Sequence, residues 1–174
     1  MPALILRRLR TRDAEAYRAI RLEALRLHPN CFASSFESEE TQPLAFFKKR
    51  ISDSTLLGAF LNEGLVGTAG LRAENSAKIE HVAHIWGVYV QSHLRGYGVA
   101  SKLMSELLVA ARGYRSIRLT VTVGNEAALA LYASLGFEAG ARDREALKVN
   151  DEFYDEILMR LDQRAPSLYS DGIC

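Results

Sequence analysis

Two rhythms of apolar and polar residues, one of about 3.6 and one of 2, run along this chain, and the switches between them mark its elements. Leu4 to Arg10 reads as a strand, followed by Thr11 or Asp13 as a helix cap. Tyr17, Ile20, Ala24 and Leu27 recur at helical spacing, so the first helix should run to about His28 and stop before Pro29. Asn30 to Gln42 has no clear period, and a short helix near Pro43 carries Phe46, Phe47 and Ile51. Thr55 to Leu61 and Leu65 to Ala73 read as strands joined by Asn62, Glu63 and Gly64, a compact hairpin loop. After a turn at Glu74 to Lys78 comes a long strand, about Ile79 to Val90, whose apolar far end predicts burial on both faces.

The second half is as regular. Val99, Leu103, Leu107 and Ala111 recur once per turn, with Met104 and Leu108 beside them. Ile117, Leu119, Val121 and Val123 alternate with Arg118, Thr120 and Thr122, a two-residue period. Gly124 and Asn125 end that strand and cap a helix through Leu135, with Gly136 as its stop signal. Phe137 to about Lys148 and Phe153 to Leu161 make a last hairpin around Asn150 and Asp151. From Asp162 onward, Pro166, Ser167, Ser170 and Gly172 read as a frayed tail or a partner contact. There is no internal repeat, so residues 1–161 form one domain and 162–174 a tail.

Composition adds mostly exclusions. With 174 residues and a net charge of +1, the chain can build one proper core and shows no charge-driven attraction to nucleic acid or membrane. Arg7 and Arg8 interrupt the short apolar start, which is unlike a signal peptide, and no apolar run has the length of a membrane span; a cytoplasmic location is expected. Cys31 and Cys174 fit a reducing compartment, the first as a small packing residue or surface thiol.

The chemistry concentrates at Arg95, Gly96, Tyr97, Gly98, Val99 and Ala100, between the long strand and a strongly periodic helix. In strand, glycine turn, helix order, the turn lets a ligand approach the main chain, and the first helical N–H groups and the positive helix pole favour a phosphate. The turn is too short for a Walker loop and lacks the third glycine of a dinucleotide fingerprint.

That run resembles the acetyl-CoA signature (Gln/Arg-x-x-Gly-x-Gly/Ala) of the GNAT superfamily of N-acetyltransferases, carried here by Arg95, Gly96, Gly98 and Ala100. A second block, Asn125, Ala128, Leu131, Tyr132, Gly136 and Phe137, is similar to that family's helix after the following strand. Ser92 stands where the family often has proline, a change in loop stiffness. The resemblance implies an α/β (α+β) fold, one mixed central sheet of about seven strands flanked by about four helices. It implies an acetyl-CoA-dependent acyltransferase acting on an amine without metal or covalent enzyme intermediate, and it allows a homodimer. The acetyl-CoA contacts it implies are main-chain groups along Val88, Tyr89 and Val90 for the pantetheine arm, and the N–H groups from Arg95 through Ser101 for the diphosphate, with Arg95 and Lys102 adding charge. Asn125, Ala128 and Tyr132 line the same site, and Tyr132 is the family tyrosine that donates to the departing sulfur.

The base stays open between Glu80 and His84, an even number of residues apart on the long strand and so on one face; His81 faces away, and Val82 stands where a familiar glutamate base aligns. In the family, the stretch from Asn30 to Gln42 covers the acceptor. Phe32, Phe36, Glu37, Glu39 and Glu40 either touch substrate or form a solvated acidic loop, and their charge hints at a small cationic amine such as an amino acid, polyamine or aminoglycoside. The alternatives are a CoA-binding sensor without efficient transfer, and an acetyltransferase for protein termini or lysines.

Overall fold

The structure, a computed structural model, describes residues 3–163. β1 (Ile5–Arg8) passes through a single turn at Thr11–Asp13 into α1 (Ala14–Leu27). The Asp13 carboxylate fixes that turn, accepting from the Arg10 amide at 2.7 Å and from two Arg7 nitrogens at 2.8 Å each. The Arg7 hydrogen bond outweighs burial and holds the carboxyl at about 2. The last α1 bond runs from the His28 amide to the Ala24 carbonyl, after which Pro29 ends the helix.

The aperiodic stretch contains α2 (Phe36–Glu40), capped by Ser35, whose hydroxyl accepts from the Ser38 amide at 3.2 Å. Five residues are too few to display a 3.6 period, which is why the expected count of helices falls one short. α3 (Leu44–Asp53) follows Pro43. β2 (Thr55–Leu61) and β3 (Gly64–Ala73) are joined by Asn62 and Glu63 at φ of +48° and +66°, the left-handed pair that suits a two-residue hairpin; Gly64 already pairs with Leu61.

β4 (Val82–Val90) begins later than expected, because Ile79 to His81 form a turn closed by the Val82 amide on the Ile79 carbonyl. α4 (Val99–Ala110), β5 (Ser116–Thr122) and α5 (Glu126–Ser134) follow. Val123, expected in the strand, lies beyond it with its amide on the Asp155 carbonyl. β6 (Glu138–Val149) and β7 (Glu152–Asp162) form the last hairpin. Asp162, expected to open the tail, is paired with Ser116 at the end of β7; 164–174, with Cys174, lie outside the described residues.

The seven strands make one sheet in the order β1-β2-β3-β4-β5-β7-β6. Only β4 and β5 are parallel, with α4 as the crossover between them. α1 and α3 pack on one face through Tyr17, Ile20, Phe47 and Ile51, and α4 and α5 on the other through Leu103, Met104, Leu107 and Tyr132. Burying each large apolar side chain contributes about 2 kcal/mol, so the sheet is clamped from both sides and the ends of β4 and β5 are held firmly.

Candidate active site

β4 and β5 pair at only three positions, Val82 with Ser116, Ala83 with Ile117 and His84 with Arg118. Beyond them the strands part, while β4 stays bonded to β3 as far as Val90. A bulge accompanies the parting: the β3–β4 register shifts between Thr68 and Gly70, Gly87 has φ of +62°, and the Thr68 hydroxyl donates to the Gly87 carbonyl at 3.1 Å. Val88, Tyr89 and Val90 therefore present a main-chain edge with no strand beside it. The gap opens a cavity of about 1370 Å³. A site for one drug-sized ligand typically spans ~300–1,000 Å³, so this one has room for two substrates.

On the α4 side the cavity is bounded by Gly96 and by Gly98 through Ser101. Gly96 and Gly98 have φ of +82° and +76°, and a Cβ built on either meets no protein atom within 4 Å. The space beside the turn is thus open, not packed. Lys102 is the first residue of α4 whose amide bonds back, to the Gly98 carbonyl at 3.0 Å. Among the described residues none accepts from the N–H groups of Gly96, Tyr97, Gly98, Val99, Ala100 or Ser101. Six unclaimed donors at a positive helix pole are the arrangement a diphosphate fits.

Arg95, expected to open the run of free donors, does not, because its amide is taken by the Ser92 carbonyl at 3.2 Å. Its Nε donates to the Val90 carbonyl at 3.1 Å and its Nη2 to His28 Nε2 at 2.7 Å, so it braces the end of β4 while its charge stays at the cavity wall. Burial, then Arg95, lowers the pKa of His28, which suits the neutral ring needed to accept that bond. The Tyr97 side chain is 75% exposed and Lys102 is also exposed; neither side chain lines the cavity.

Tyr132 and Ala128 line the cavity from α5. Tyr132 is 7% exposed, and burial pushes its phenol up to about 12, which keeps the proton on oxygen as a donor requires. Asn125 caps α5, its Oδ1 accepting from the Ala128 amide at 3.2 Å, and its Nδ2 reaches Cys31 Sγ at 3.8 Å. Cys31 belongs to a strap, residues 28–31, that crosses the gap: His28 meets Arg95 at the end of β4, and the Asn30 carbonyl accepts from the Thr122 hydroxyl at 2.6 Å at the end of β5.

Neither residue considered as the base lines the cavity. Glu80 sits in the turn before β4 and is exposed, so the shared-face spacing does not apply to it. His84 is on β4 but pairs with Glu74 at 2.9 Å, and its pKa is lowered by burial together with Arg118 and Arg72, against the opposing pull of Glu74. A different carboxylate does face the cavity. Glu156 on β7 lies opposite Thr122, and its Oε1 accepts from the Thr120 hydroxyl at 3.3 Å. Burial raises its pKa, with Asp143 adding to the rise and Thr120 opposing it. Pattern reading missed Glu156 because its place depends on β7 returning beside β5; the only hint was a polar residue inside an otherwise strand-like run.

The acidic segment divides. Phe32 lines the cavity; Glu37 and Glu40 are exposed; Glu39 is 3% exposed and points inward. Its carboxylate accepts from Arg21 Nε at 3.1 Å and Nη2 at 2.9 Å, and from Arg50 Nη1 at 3.0 Å. Burial raises the Glu39 pKa, but Arg21 and Arg50 together lower it further than burial raises it. A depressed carboxylate pKa stabilises the fold above the unfolded value of about 4.3 and ceases to do so as pH falls through the folded value. Glu39→Gln should therefore cost about 3 kcal/mol near pH 7 by leaving two buried cations without an anion, and the gap to wild type should narrow below about pH 4. Urea titrations at both pH values measure it; an equal gap at both would refute the ion-pair account.

A model of the acetyltransferase (GNAT) family matches residues 19–137. The chain is 32% identical over 157 residues to the N-alpha-acetyltransferase RimI of Mycobacterium tuberculosis, covering 88% of this chain and 90% of that one. It is 27% identical over 165 residues to the L-amino acid N-acetyltransferase AaaT of Escherichia coli, covering 91% and 98%. A Mycobacterium leprae protein is 37% identical over 113 residues, 63% of this chain, which spans 31% of that longer protein. In fold it superposes on a Salmonella typhimurium structure solved with acetyl-CoA with a TM-score of 0.79 at 21% identity, covering 97% and 99%. With a family model over more than half its length, a seven-stranded mixed sheet parted between β4 and β5, and free amides at the head of α4, the chain belongs to the acetyltransferase (GNAT) family, whose N-acetyltransferases use acetyl-CoA as co-substrate.

Proposed function

We propose that this protein transfers the acetyl group of acetyl-CoA directly to the primary amine of a small molecule, within one ternary complex. The observation that carries the reading is the set of unclaimed amides from Gly96 to Ser101 beside a cavity large enough for both substrates. The amides hold the diphosphate, and the open edge of Val88, Tyr89 and Val90 takes the amide-bearing arm as an added strand. An alkylamine with a pKa of about 10.4 is protonated at neutral pH, so a base must first remove a proton; of the two carboxylates that line the cavity among the described residues, Asp53 is paired with Lys49 and Glu156 is the one left for that role. The neutral nitrogen then attacks the thioester carbon. The nitrogen of the tetrahedral intermediate then releases its second proton to solvent, and as the intermediate collapses the carbon–sulfur bond breaks while the Tyr132 phenol hydrogen-bonds the departing thiolate. The names of the M. tuberculosis and E. coli relatives, both N-acetyltransferases, support nitrogen as the acceptor. A cytoplasmic setting goes with this reading, in line with the free thiol of Cys31.

The test pairs binding with turnover. CoA and acetyl-CoA should raise Tm, since a ligand bound to the native state alone stabilises it by mass action. Thiol release should then depend on an added amine. Tyr132→Phe should keep the CoA-induced shift and lower kcat about a hundredfold; normal turnover by that variant would remove the tyrosine from the mechanism. Thermal stabilisation with no thiol release across a broad amine panel would favour a CoA sensor instead.

A further inference from the structure

Resting on the acetyl-transfer reading above, we infer that the acceptor amine carries a carboxylate, as α-amino acids do, and that Arg21 and Arg50 receive it. The α1/α3 wall of the cavity holds two guanidinium groups that share one carboxylate, Glu39. One positive charge is left over in a wall where Arg21 is 7% exposed and the Arg50 side chain 22%. Lys49 and Asp53, on the same wall, neutralise each other at 2.6 Å.

The geometry of the arginines adds to the charge count. Arg21 gives its Nε and Nη2 to Glu39, but its Nη1 makes no hydrogen bond within the described protein. That nitrogen lies 4.0 Å from where a Cβ on Gly87 would stand, beside the bulge that opens the strand gap. A guanidinium on the cavity wall with a donor not used by the protein can offer that donor to an anionic group of the acceptor. The Arg50 guanidinium carbon lies 4.5 Å from the Phe46 ring centroid and 5.5 Å from that of Trp86, and with Nη1 given to Glu39 its other nitrogens are left to meet a carboxylate. Gly70 permits this, since a Cβ there would come within 2.6 Å of the Trp86 ring. Phe32, Phe46 and Trp86 supply an apolar surface for the acceptor's side chain. A polyamine or aminoglycoside would meet this wall with like charge and is disfavoured.

The test measures kcat/KM by thiol release from acetyl-CoA for matched acceptors: L-phenylalanine with its amide and with phenethylamine, L-leucine with isopentylamine, and spermidine and kanamycin as cationic arms. Each carboxylate-bearing acceptor should exceed its uncharged-end partner by about a hundredfold. Arg50→Gln should erase most of that preference by raising the acceptor KM with the Kd for CoA unchanged, and Arg50→Lys should restore only part of it. Partners turned over equally, a preference for spermidine or kanamycin, or an Arg50→Gln effect confined to CoA affinity would each overturn the carboxylate assignment while leaving acetyl transfer standing. Failure to acetylate any amine, despite CoA binding, would overturn both.

Discussion

Gly98→Glu should raise the Kd for CoA about a thousandfold, equivalent to ~4 kcal/mol. Two effects combine. Gly98 has φ of +76°, a conformation that costs an L-residue about 1 kcal/mol. Because no protein atom lies within 4 Å of a Cβ there, the new side chain enters the open space beside the Gly96–Ser101 amides, where a carboxylate opposes a diphosphate. Gly98→Ala separates the terms, since it keeps the backbone strain without the charge and should weaken CoA by about tenfold at most. Isothermal titration measures both, with circular dichroism confirming the fold. Tight CoA binding by the glutamate variant would place the diphosphate elsewhere.

Glu156→Gln should lower kcat by about a thousandfold while leaving the Kd for CoA unchanged. The carboxylate acts only when deprotonated, and burial raises its pKa. Wild-type kcat/KM should therefore climb with pH through that raised value, and the variant should lose this acid limb, keeping only the dependence set by the free amine. A variant that turned over normally with an unchanged acid limb would hand the proton to a water chain instead.

The elements that position the coenzyme end of the cavity are those whose local pattern is strongest. Val99, Leu103 and Leu107 state the α4 face outright, and the glycines before them state the turn, because both signals are carried within a few neighbouring residues. β4 starts three residues later than the sequence predicts, because Ile79, Glu80 and His81 include no glycine or proline to announce the turn they form. α2 is too short to show a period, and the inward aim of Glu39 depends on Arg21 and Arg50, 18 and 11 residues away. Glu156 is the extreme case. Its neighbours Thr120 and Thr122 lie 36 and 34 residues earlier, and only the strand order β5-β7-β6 brings them together.

The strap of residues 28–31, bonded to Arg95 on one bank and Thr122 on the other, ties together two strand ends that nothing else in the ladder joins. Such a span keeps the banks from drifting apart and equally from zipping shut. Coenzyme therefore meets a finished mould, and its arrival rate should follow diffusion and charge instead of waiting for a rearrangement.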